Sequence, residues 1–287
     1  MSAAAGFREI RFTAPDGLEL YARDYGVTLG PPVLCLCGLT RNSRDFEPLA
    51  AFITNRCRMV VLDYRGRGRS AFAADPKSYR PDVELADAIR LLDLLAIQRA
   101  GVIGTSRGGL IAMLMGSAHP DRLSGVVLND IGPVIEREGL LRIATYLGRD
   151  SVRSWNDAVS SLKDTHPGFS MSADQWLSFA RRLFRDDGGV PRLDYDLRLA
   201  QTFPSRQAIE RAEGPDFWPF FESLKSLPVT VLRGENSDLL SAATVAEMAR
   251  RHPGLKAVTI KDRGHPPMLD EAESIAAIRE WIALLPQ

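Results

Sequence analysis

Six short apolar segments, separated by amphipathic ones, constrain the fold of this chain more than any other feature. They cover residues 31–38, 58–66, 100–106, 123–130, 227–235 and 255–262. Their residues are apolar at both odd and even positions, which is typical of parallel strands that helices cover on both faces. Helical periodicity falls between them, over residues 46–55, 83–98, 108–119, 242–252 and 268–285. This alternation predicts a doubly wound α/β fold with a mostly parallel sheet.

Two further parts of the chain complete the predicted organisation. Residues 7–14 and 18–25 flank a PDG turn and predict an antiparallel hairpin at the start of the sheet. Residues 132–226 contain no convincing strand, have loops at 165–168 and 186–191, and predict a helical insertion. We therefore expect a core formed by residues 1–131 and 227–287, with residues 132–226 as a helical cap.

Charge and composition exclude several classes of function. The 36 basic and 36 acidic residues give a net charge of zero, which does not favour a nucleic-acid or membrane-surface partner. The longest apolar stretch, residues 110–118, is too short to span a bilayer. The N-terminus lacks a basic and then apolar secretory pattern, so a cytoplasmic location is expected. The cysteines Cys35, Cys37 and Cys57 lack metal-ligand spacing and are expected to be buried thiols in a reducing compartment.

A serine between glycines is the first candidate for chemistry. Residues 101–109 read GVIGTSRGG, with Ser106 between a predicted strand and a predicted helix. Gly104 and Gly108 lack side chains where a sharp strand-to-helix turn brings backbone segments close together. Such a turn exposes the serine oxygen at the edge of the sheet, near the N-terminus of a helix.

A serine needs a general base, and the chain has four histidines. His119 and His252 lie at predicted helix ends, and His166 lies in a loop of the insertion. His265 follows the last predicted strand, at the carboxyl edge where open α/β sheets form their sites. His265 is therefore the expected partner of Ser106.

The histidine in turn needs a carboxylate that orients its ring. Asp238 follows the strand at residues 227–235, with Glu235 close by, and gives the chain order Ser, Asp, His. Asp130, at the end of the strand over residues 123–130, is the alternative acid. Asp238 is favoured over Asp130.

Taken together, these segments resemble the α/β-hydrolase superfamily over nearly the whole chain. The matching pieces read CLCGLTRNSRDFEPLA, VVLDYRGRGRS, VIGTSRGG, VVLNDIGP, VLRGENSD and RGHPPMLDE. The resemblance implies that Ser106 is the nucleophile on a nucleophile elbow, with His265 as base and Asp238 as acid. It also implies an oxyanion hole formed by the backbone N–H groups of Leu39 and Arg107, and a cap that spans the insertion.

Two local features bear on this resemblance. Many relatives have His-Gly where this chain has Cys37-Gly38, which keeps the backbone donors but puts the usual contribution of the histidine in doubt. The sequence YRGRGRSA imitates a dinucleotide-binding fingerprint, but no helix is predicted directly after it, so nucleotide binding is not expected. Its arginines are expected to shape a turn near the site.

The resulting hypothesis is a serine hydrolase that needs no metal or cofactor. It acts on a small molecule, a carboxylic ester or lactone with a largely apolar structure. Cleavage of a carbon–carbon bond in a diketone-like substrate is the alternative, and a non-catalytic binding module on the same fold is the other class considered. Trp218 and Phe220, in an aromatic cluster of the insertion, are the expected substrate-binding side chains. The sequence makes no prediction of oligomeric state.

Overall fold

A computed structural model describes residues 6–26, 30–211, 214 and 216–286. Residues 1–5, on which part of the expectation of no secretory signal rests, lie outside the described residues. The strands in chain order are β1 (Arg8–Thr13), β2 (Glu19–Asp24), β3 (Pro32–Leu36), β4 (Arg58–Asp63), β5 (Ala100–Thr105), β6 (Leu123–Asn129), β7 (Phe184–Asp187), β8 (Val190–Leu193), β9 (Val229–Gly234) and β10 (Lys256–Ile260). The α-helices are α1 (Glu47–Ile53), α2 (Pro81–Leu94), α3 (Arg107–Ala118), α4 (Arg137–Tyr146), α5 (Trp155–Thr165), α6 (Ala173–Leu183), α7 (Arg206–Arg211), α8 (Trp218–Glu222), α9 (Ala242–Arg251) and α10 (Ala272–Ile282).

Eight of the described strands form one sheet in the order β1-β2-β4-β3-β5-β6-β9-β10. β1 and β2 pair antiparallel as a hairpin, and β2 pairs antiparallel with β4. The pairs from β4 to β10 are all parallel. The predicted doubly wound, mostly parallel sheet is confirmed, and its N-terminal hairpin lies where the turn signal indicated.

Helices cover both faces of the central strand β5, in which every residue is buried. Successive side chains of a strand point to opposite faces. A Cβ atom added at Gly101 would lie 2.7 Å from Trp281 of α10, whereas one at Gly104 would lie 2.5 Å from the backbone of α3. This double coverage explains why the central strands are apolar at both alternations.

The segment between β6 and β9 contains α4 to α8 and also a short hairpin. β7 and β8 pair antiparallel in a separate two-stranded sheet, so the expectation of no strand in residues 132–226 is wrong. The connecting residues Gly188 and Gly189 both have positive φ, at 62° and 91°. Two such residues allow the tight turn that joins hairpin strands, which makes a strand pair out of a stretch that reads as a loop.

Part of this segment has a hydrophobic core of its own. Buried side chains from α5, α6 and β7 pack together, among them Leu162, Trp176, Phe179 and Phe184. The short helix α8 packs instead on α3 of the large core, through Phe221 and the neighbouring Leu224. The division at residues 131/132 and 226/227 stays a prediction.

None of the helices that the structure describes combines the length and apolar character needed to cross a bilayer.

The first turn of α3 lies directly against β3, and this contact generates a stability prediction. A Cβ atom at Gly108 would lie 2.1 Å from the carbonyl oxygen of Leu36, which is backbone and has no room to move. We expect Gly108→Ala to destabilise the protein by about 3 kcal/mol. Thermal unfolding followed by circular dichroism should show a melting temperature about 5–10 °C lower.

Gly254→Ala is the control, because its Cβ atom would lie 3.6 Å from the nearest atom, His252 Cε1. An ordinary contact of this kind should leave the melting temperature almost unchanged. Equal effects of the two substitutions would contradict the close approach of α3 to β3.

Candidate active site

Ser106 lies at the junction of β5 and α3, with a backbone that is rare for a residue with a side chain. Its φ and ψ angles are 50° and −109°, and its side chain is half-buried. This left-handed conformation costs free energy and persists only where the surroundings enforce it. The packing of β5 against α3 supplies that constraint and leaves the hydroxyl at the carboxyl edge of the sheet.

His265 reaches Ser106 from the loop between β10 and α10. Its Nε2 atom lies 2.9 Å from the Ser106 Oγ atom, and its Nδ1 atom lies 2.7 Å from Oδ2 of Asp130. A carboxylate can only accept a hydrogen bond, so Nδ1 carries the proton and Nε2 accepts from the serine hydroxyl. The imidazole is thereby held in the tautomer that a general base for Ser106 requires.

Asp130 directly follows β6, at positive φ (56°), and is fully buried. Its Oδ1 atom accepts a hydrogen bond from the Gly234 N–H at 2.7 Å, and its Oδ2 atom accepts one from the Ser237 hydroxyl at 2.6 Å. Together with the ring N–H of His265, three donors orient the carboxylate. The neighbouring strand β9 therefore helps to position the acid that β6 supplies.

Asp238 does not occupy the position expected of it. Its carboxylate forms a bidentate ion pair with Arg142 of α4. Arg142 Nε donates to Oδ2, and Arg142 Nη2 donates to Oδ1 at 2.9 Å. Burial by itself would raise the pKa of Asp238, but the hydrogen bonds and charge of Arg142 hold that pKa below its usual value. The preference for Asp238 as partner of His265 is wrong, because Asp130 ends a strand beside β5 whereas Asp238 lies farther out and turns towards α4.

Glu235, the other acid near β9, is exposed and accepts from the backbone N–H of Asp262 at 3.1 Å. It takes no part in the contact with His265.

The two residues expected to supply backbone donors, Leu39 and Arg107, come from different parts of the chain. Arg107 is the first residue of α3, so its N–H has no acceptor within the helix. Leu39 lies in the loop after β3 and lines the same cavity as Ser106 and His265. Their use as an oxyanion hole stays a proposal. Cys37 is fully buried, and burial raises the pKa of its thiol well above the usual value, so this side chain is no nucleophile.

Two of the three arginines in the RGRGRS segment turn inward, whereas Arg69 is exposed and pairs with Glu9. Arg65 and Arg67 are among the largest fully buried side chains, and both are paired with carboxylates of α2. Gly66 and Gly68, at φ 72° and 55°, allow the tight turn between them. No α-helix follows before Pro81 in the described chain, so the helix N-terminus that a pyrophosphate needs is missing.

A cavity opens above Ser106, between the sheet edge and the segment that joins β6 to β9. It encloses about 860 Å³, including the part open to solvent, and α4, α5 and the β7–β8 hairpin form its far wall. Apolar side chains such as Ile143, Leu162 and Leu193 line much of it. The polar lining includes Arg41, Tyr146, Arg149, His166 and Tyr195.

The two aromatic residues expected to bind substrate lie elsewhere. The guanidinium of Arg251 lies 3.9 Å from the ring centre of Trp218, and Phe220 packs against Phe217 at 6.2 Å. Both belong to α8, which packs on α3, and neither lines the cavity. The assignment of Trp218 and Phe220 to the substrate site is wrong, because their apolar surface completes the core instead.

Sequence reasoning missed the polar groups of the cavity. His166 is buried, and burial lowers its pKa well below the usual value, so the ring is neutral. Its Nδ1 atom donates to the carbonyl of Leu162 at 3.0 Å, and Phe169 and Phe179 meet its ring edge to face. The only signal available was that Tyr146, His166 and Tyr195 occur within the segment expected to cover the site. No motif or spacing singled them out.

Within the described residues, no group of three or more His, Cys, Asp or Glu side chains could hold a metal ion.

Comparison with known proteins places this site in a family. The model of the alpha/beta hydrolase family matches residues 33–278. A 3-hydroxybutyrate-oligomer hydrolase of Cupriavidus necator is 32% identical, over 96% of this chain and 97% of its own. A 2-(acetamidomethylene)succinate hydrolase of Mesorhizobium japonicum is 27% identical, over 82% of both chains.

A solved structure has the same architecture. The crystal structure of an alpha/beta hydrolase from Novosphingobium aromaticivorans superposes with a TM-score of 0.90 at 41% identity, and the match covers 98% of this chain and 99% of that one. Since the family model spans β3 to α10 and the Cupriavidus relative aligns along nearly its whole length, this chain belongs to the alpha/beta hydrolase family of hydrolase enzymes.

Proposed function

We propose that this protein is a serine hydrolase that cleaves a carboxylic ester through an acyl-enzyme formed on Ser106. One observation carries the proposal. Ser106 Oγ, the His265 ring and the Asp130 carboxylate form a continuous hydrogen-bonded chain, with distances of 2.9 and 2.7 Å. A serine becomes an effective nucleophile only beside such an oriented base.

The chemistry follows from these positions. Ser106 Oγ attacks the ester carbonyl carbon while His265 Nε2 takes the hydroxyl proton, and Asp130 stabilises the imidazolium that forms. The carbonyl oxygen becomes an oxyanion, which the N–H groups of Leu39 and Arg107 stabilise. When the C–O bond breaks, the alcohol leaves with the proton from His265. Water then attacks the acyl-enzyme by the same route and releases the carboxylic acid and free Ser106.

An ester is preferred to the other substrates that this chemistry could serve. The Cupriavidus relative is named for the hydrolysis of a 3-hydroxybutyrate oligomer, and hydroxy acids joined through hydroxyl and carboxyl groups form esters. This supports an open-chain ester over a lactone and over the carbon–carbon bond of a diketone. The hydrogen-bonded serine, histidine and carboxylate also favour an enzyme over a non-catalytic binding module, because binding alone does not require them.

The charges of the cavity narrow the substrate further. Among the residues that the structure describes, two arginines, Arg41 and Arg149, line the cavity, and no carboxylate does. Arg41 is neutralised by Asp45, which accepts two hydrogen bonds at 2.9 and 3.1 Å. The described residues offer the Arg149 side chain no hydrogen-bond acceptor and no ion-pair partner. Arg149 is therefore available to a ligand.

The backbone beside Arg149 is held in place. The Gly148 N–H donates to the Tyr195 hydroxyl at 3.2 Å, and the Arg149 N–H donates to the Tyr146 carbonyl at 3.1 Å. The Arg149 side chain is exposed, so its guanidinium keeps its water contacts until a ligand binds. A positive group at the edge of an otherwise largely apolar cavity suits a substrate with one carboxylate and an apolar body. Both named relatives act on compounds that carry a carboxylate, 3-hydroxybutyrate oligomers and a succinate. We therefore propose a carboxylate-bearing ester, bound through Arg149.

The first prediction tests the acyl-enzyme. A fluorophosphonate probe should label Ser106, as located by peptide mass spectrometry, and should abolish ester hydrolysis. Ser106→Ala should take no label and lose about 10⁴-fold or more in kcat. Labelling of a different serine, or turnover by the alanine variant at the wild-type rate, would refute the proposed function.

The second prediction concerns the acid. Asp130→Asn keeps the shape of the side chain but favours the wrong tautomer of His265, so kcat should fall about 10³–10⁴-fold. Asp238→Asn is the matched control, because it removes charge from the pair with Arg142 and not from the histidine. It should reduce kcat much less than Asp130→Asn does, although the melting temperature should fall. The reverse order of kcat losses would reassign the acid to Asp238.

The third prediction tests the carboxylate subsite. Loss of a charged hydrogen bond costs about 1.5–3 kcal/mol, so Arg149→Gln should raise KM about 10–100-fold for a carboxylate-bearing ester. KM for the matching neutral methyl ester should stay the same. Arg153→Gln is the control, since Arg153 is exposed, lies in the same loop and does not line the cavity. An equal change for charged and neutral esters would remove Arg149 from substrate recognition.

A further inference from the structure

We propose that a buried chain of charges, Arg67–Glu84–Arg107, positions the two backbone donors of the oxyanion hole. The inference rests on the proposed function, in which the N–H groups of Leu39 and Arg107 stabilise the oxyanion. Glu84 is the central member, and it acts through its neighbours without touching the substrate.

Arg67 holds the loop that carries Leu39. Its side chain is fully buried, and its Nε atom donates to the Leu39 carbonyl oxygen at 3.0 Å. Its Nη1 atom donates to the Arg65 carbonyl at 2.6 Å and lies 2.9 Å from Oε1 of Glu84. The Leu39 carbonyl belongs to the peptide group next to the one that bears the Leu39 N–H. Holding that carbonyl from behind therefore restricts the direction in which the N–H points.

Glu84 extends the same chain of contacts to the other donor. It is a fully buried residue of α2, and its Oε2 atom accepts from Nε of Arg107 at 2.8 Å. The Nη2 atom of Arg107 also donates to the Tyr79 carbonyl at 2.9 Å. The Nε and Nη2 atoms of Arg107 are therefore both anchored. This holds the first turn of α3 against α2, and that turn begins with the Arg107 N–H.

Stability alone is a poor reason for this arrangement. Taking charges out of water is expensive, and a buried ion pair often contributes no more than apolar residues of the same volume would. Burial lowers the pKa of Arg67, and its Nη2 atom has no hydrogen-bond partner in the described part of the chain. A network that leaves a buried donor unsatisfied is better explained by what it positions.

The chain contains a matched comparison for Glu84. Asp87 lies one helical turn further along α2 and is also fully buried. Each of its carboxylate oxygens accepts a hydrogen bond at 2.7 Å from Arg65, which lies in the same loop after β4 as Arg67. Arg65 continues to Asp16, in the hairpin turn of the sheet, at 2.7 Å. This second pair therefore has the same burial, helix and partner type, but it contacts neither Leu39 nor Arg107.

The test compares Glu84→Gln with Asp87→Asn in the full-length enzyme. A glutamine keeps the shape of Glu84 but presents an NH₂ group to one of the two arginines, so the chain of contacts breaks. Loss of one oxyanion donor costs about 10²–10³-fold in kcat, and a misdirected donor should cost about 10–100-fold. We expect that loss in kcat for Glu84→Gln with little change in KM, and kcat within about twofold of wild type for Asp87→Asn.

A second readout separates positioning from general loosening. A trifluoromethyl ketone that forms a tetrahedral adduct on Ser106 should bind Glu84→Gln more weakly, in proportion to the loss in kcat. The matching methyl ketone stays planar and forms no oxyanion, so it should bind Glu84→Gln and Asp87→Asn with the same affinity as the wild type. Where Glu84→Gln fails to fold, Arg107→Gln serves instead, since it removes the side-chain anchor and keeps both backbone N–H groups.

Two results would overturn the proposal. One is a folded Glu84→Gln or Arg107→Gln enzyme with wild-type kcat and ketone affinity, in a protein whose Ser106 takes the fluorophosphonate label. The other is an equal loss of kcat in Asp87→Asn, which would make the network purely structural. If wild-type Ser106 took no label, the proposed function itself would fall, and the inference about the hole with it.

Discussion

The close contact between α3 and the strands beneath it determines the geometry of the candidate active-site edge. Gly108 lies against the carbonyl of Leu36, and Gly104 lies against the first turn of the helix, where a single methyl group would not fit. That approach drives the chain through a left-handed residue between β5 and α3, and the residue there is Ser106. Because β3 and β6 flank β5 in a parallel sheet, the loops after them begin beside this serine. The loop after the edge strand β10 extends back across the sheet edge and brings His265 to the same place. The tight turn between β5 and α3 places Ser106 Oγ within reach of the His265 ring, which the Asp130 carboxylate orients.

Behind this edge lie two sets of buried charges with different partners. Arg65 and Asp87 connect the turn after β4 to α2 and, through Asp16, to the first hairpin. Glu84, on the same helix, contacts the arginines nearest the backbone donors. The turn after β4 and helix α2 thus supply two separate charge networks. The Arg65–Asp87 pair leads to the first hairpin, and Glu84 leads to the residues that carry the backbone donors. The difference arises from the acceptors of each arginine, because Arg65 donates to the carboxylates of Asp16 and Asp87, whereas Arg67 donates to the Leu39 carbonyl.

The segment above the sheet is attached to it by polar contacts as well as by packing. Asp238 accepts from Arg142 of α4, and Arg142 also donates to the carbonyl of Thr165 at the end of α5. The residue that chain order favoured as the catalytic acid is therefore a link between the core and the wall of the cavity. That wall has a hydrophobic core of its own around Phe179.

The sequence by itself determined the order of strands and helices in the large sheet, the strand-to-helix turn at Ser106 and the choice of His265. These depend on local pattern: apolar runs, helical periodicity, and glycines at a fixed spacing around one serine. Only the tertiary structure decided between Asp130 and Asp238, because each follows a strand end and the outcome depends on which side chain faces His265 once β6 and β9 lie side by side. It also decided that Trp218 packs on the core, that Gly188 and Gly189 join two strands, and that Arg149 lines the cavity. Such contacts join residues far apart in the chain, and no local pattern encodes the distance between them.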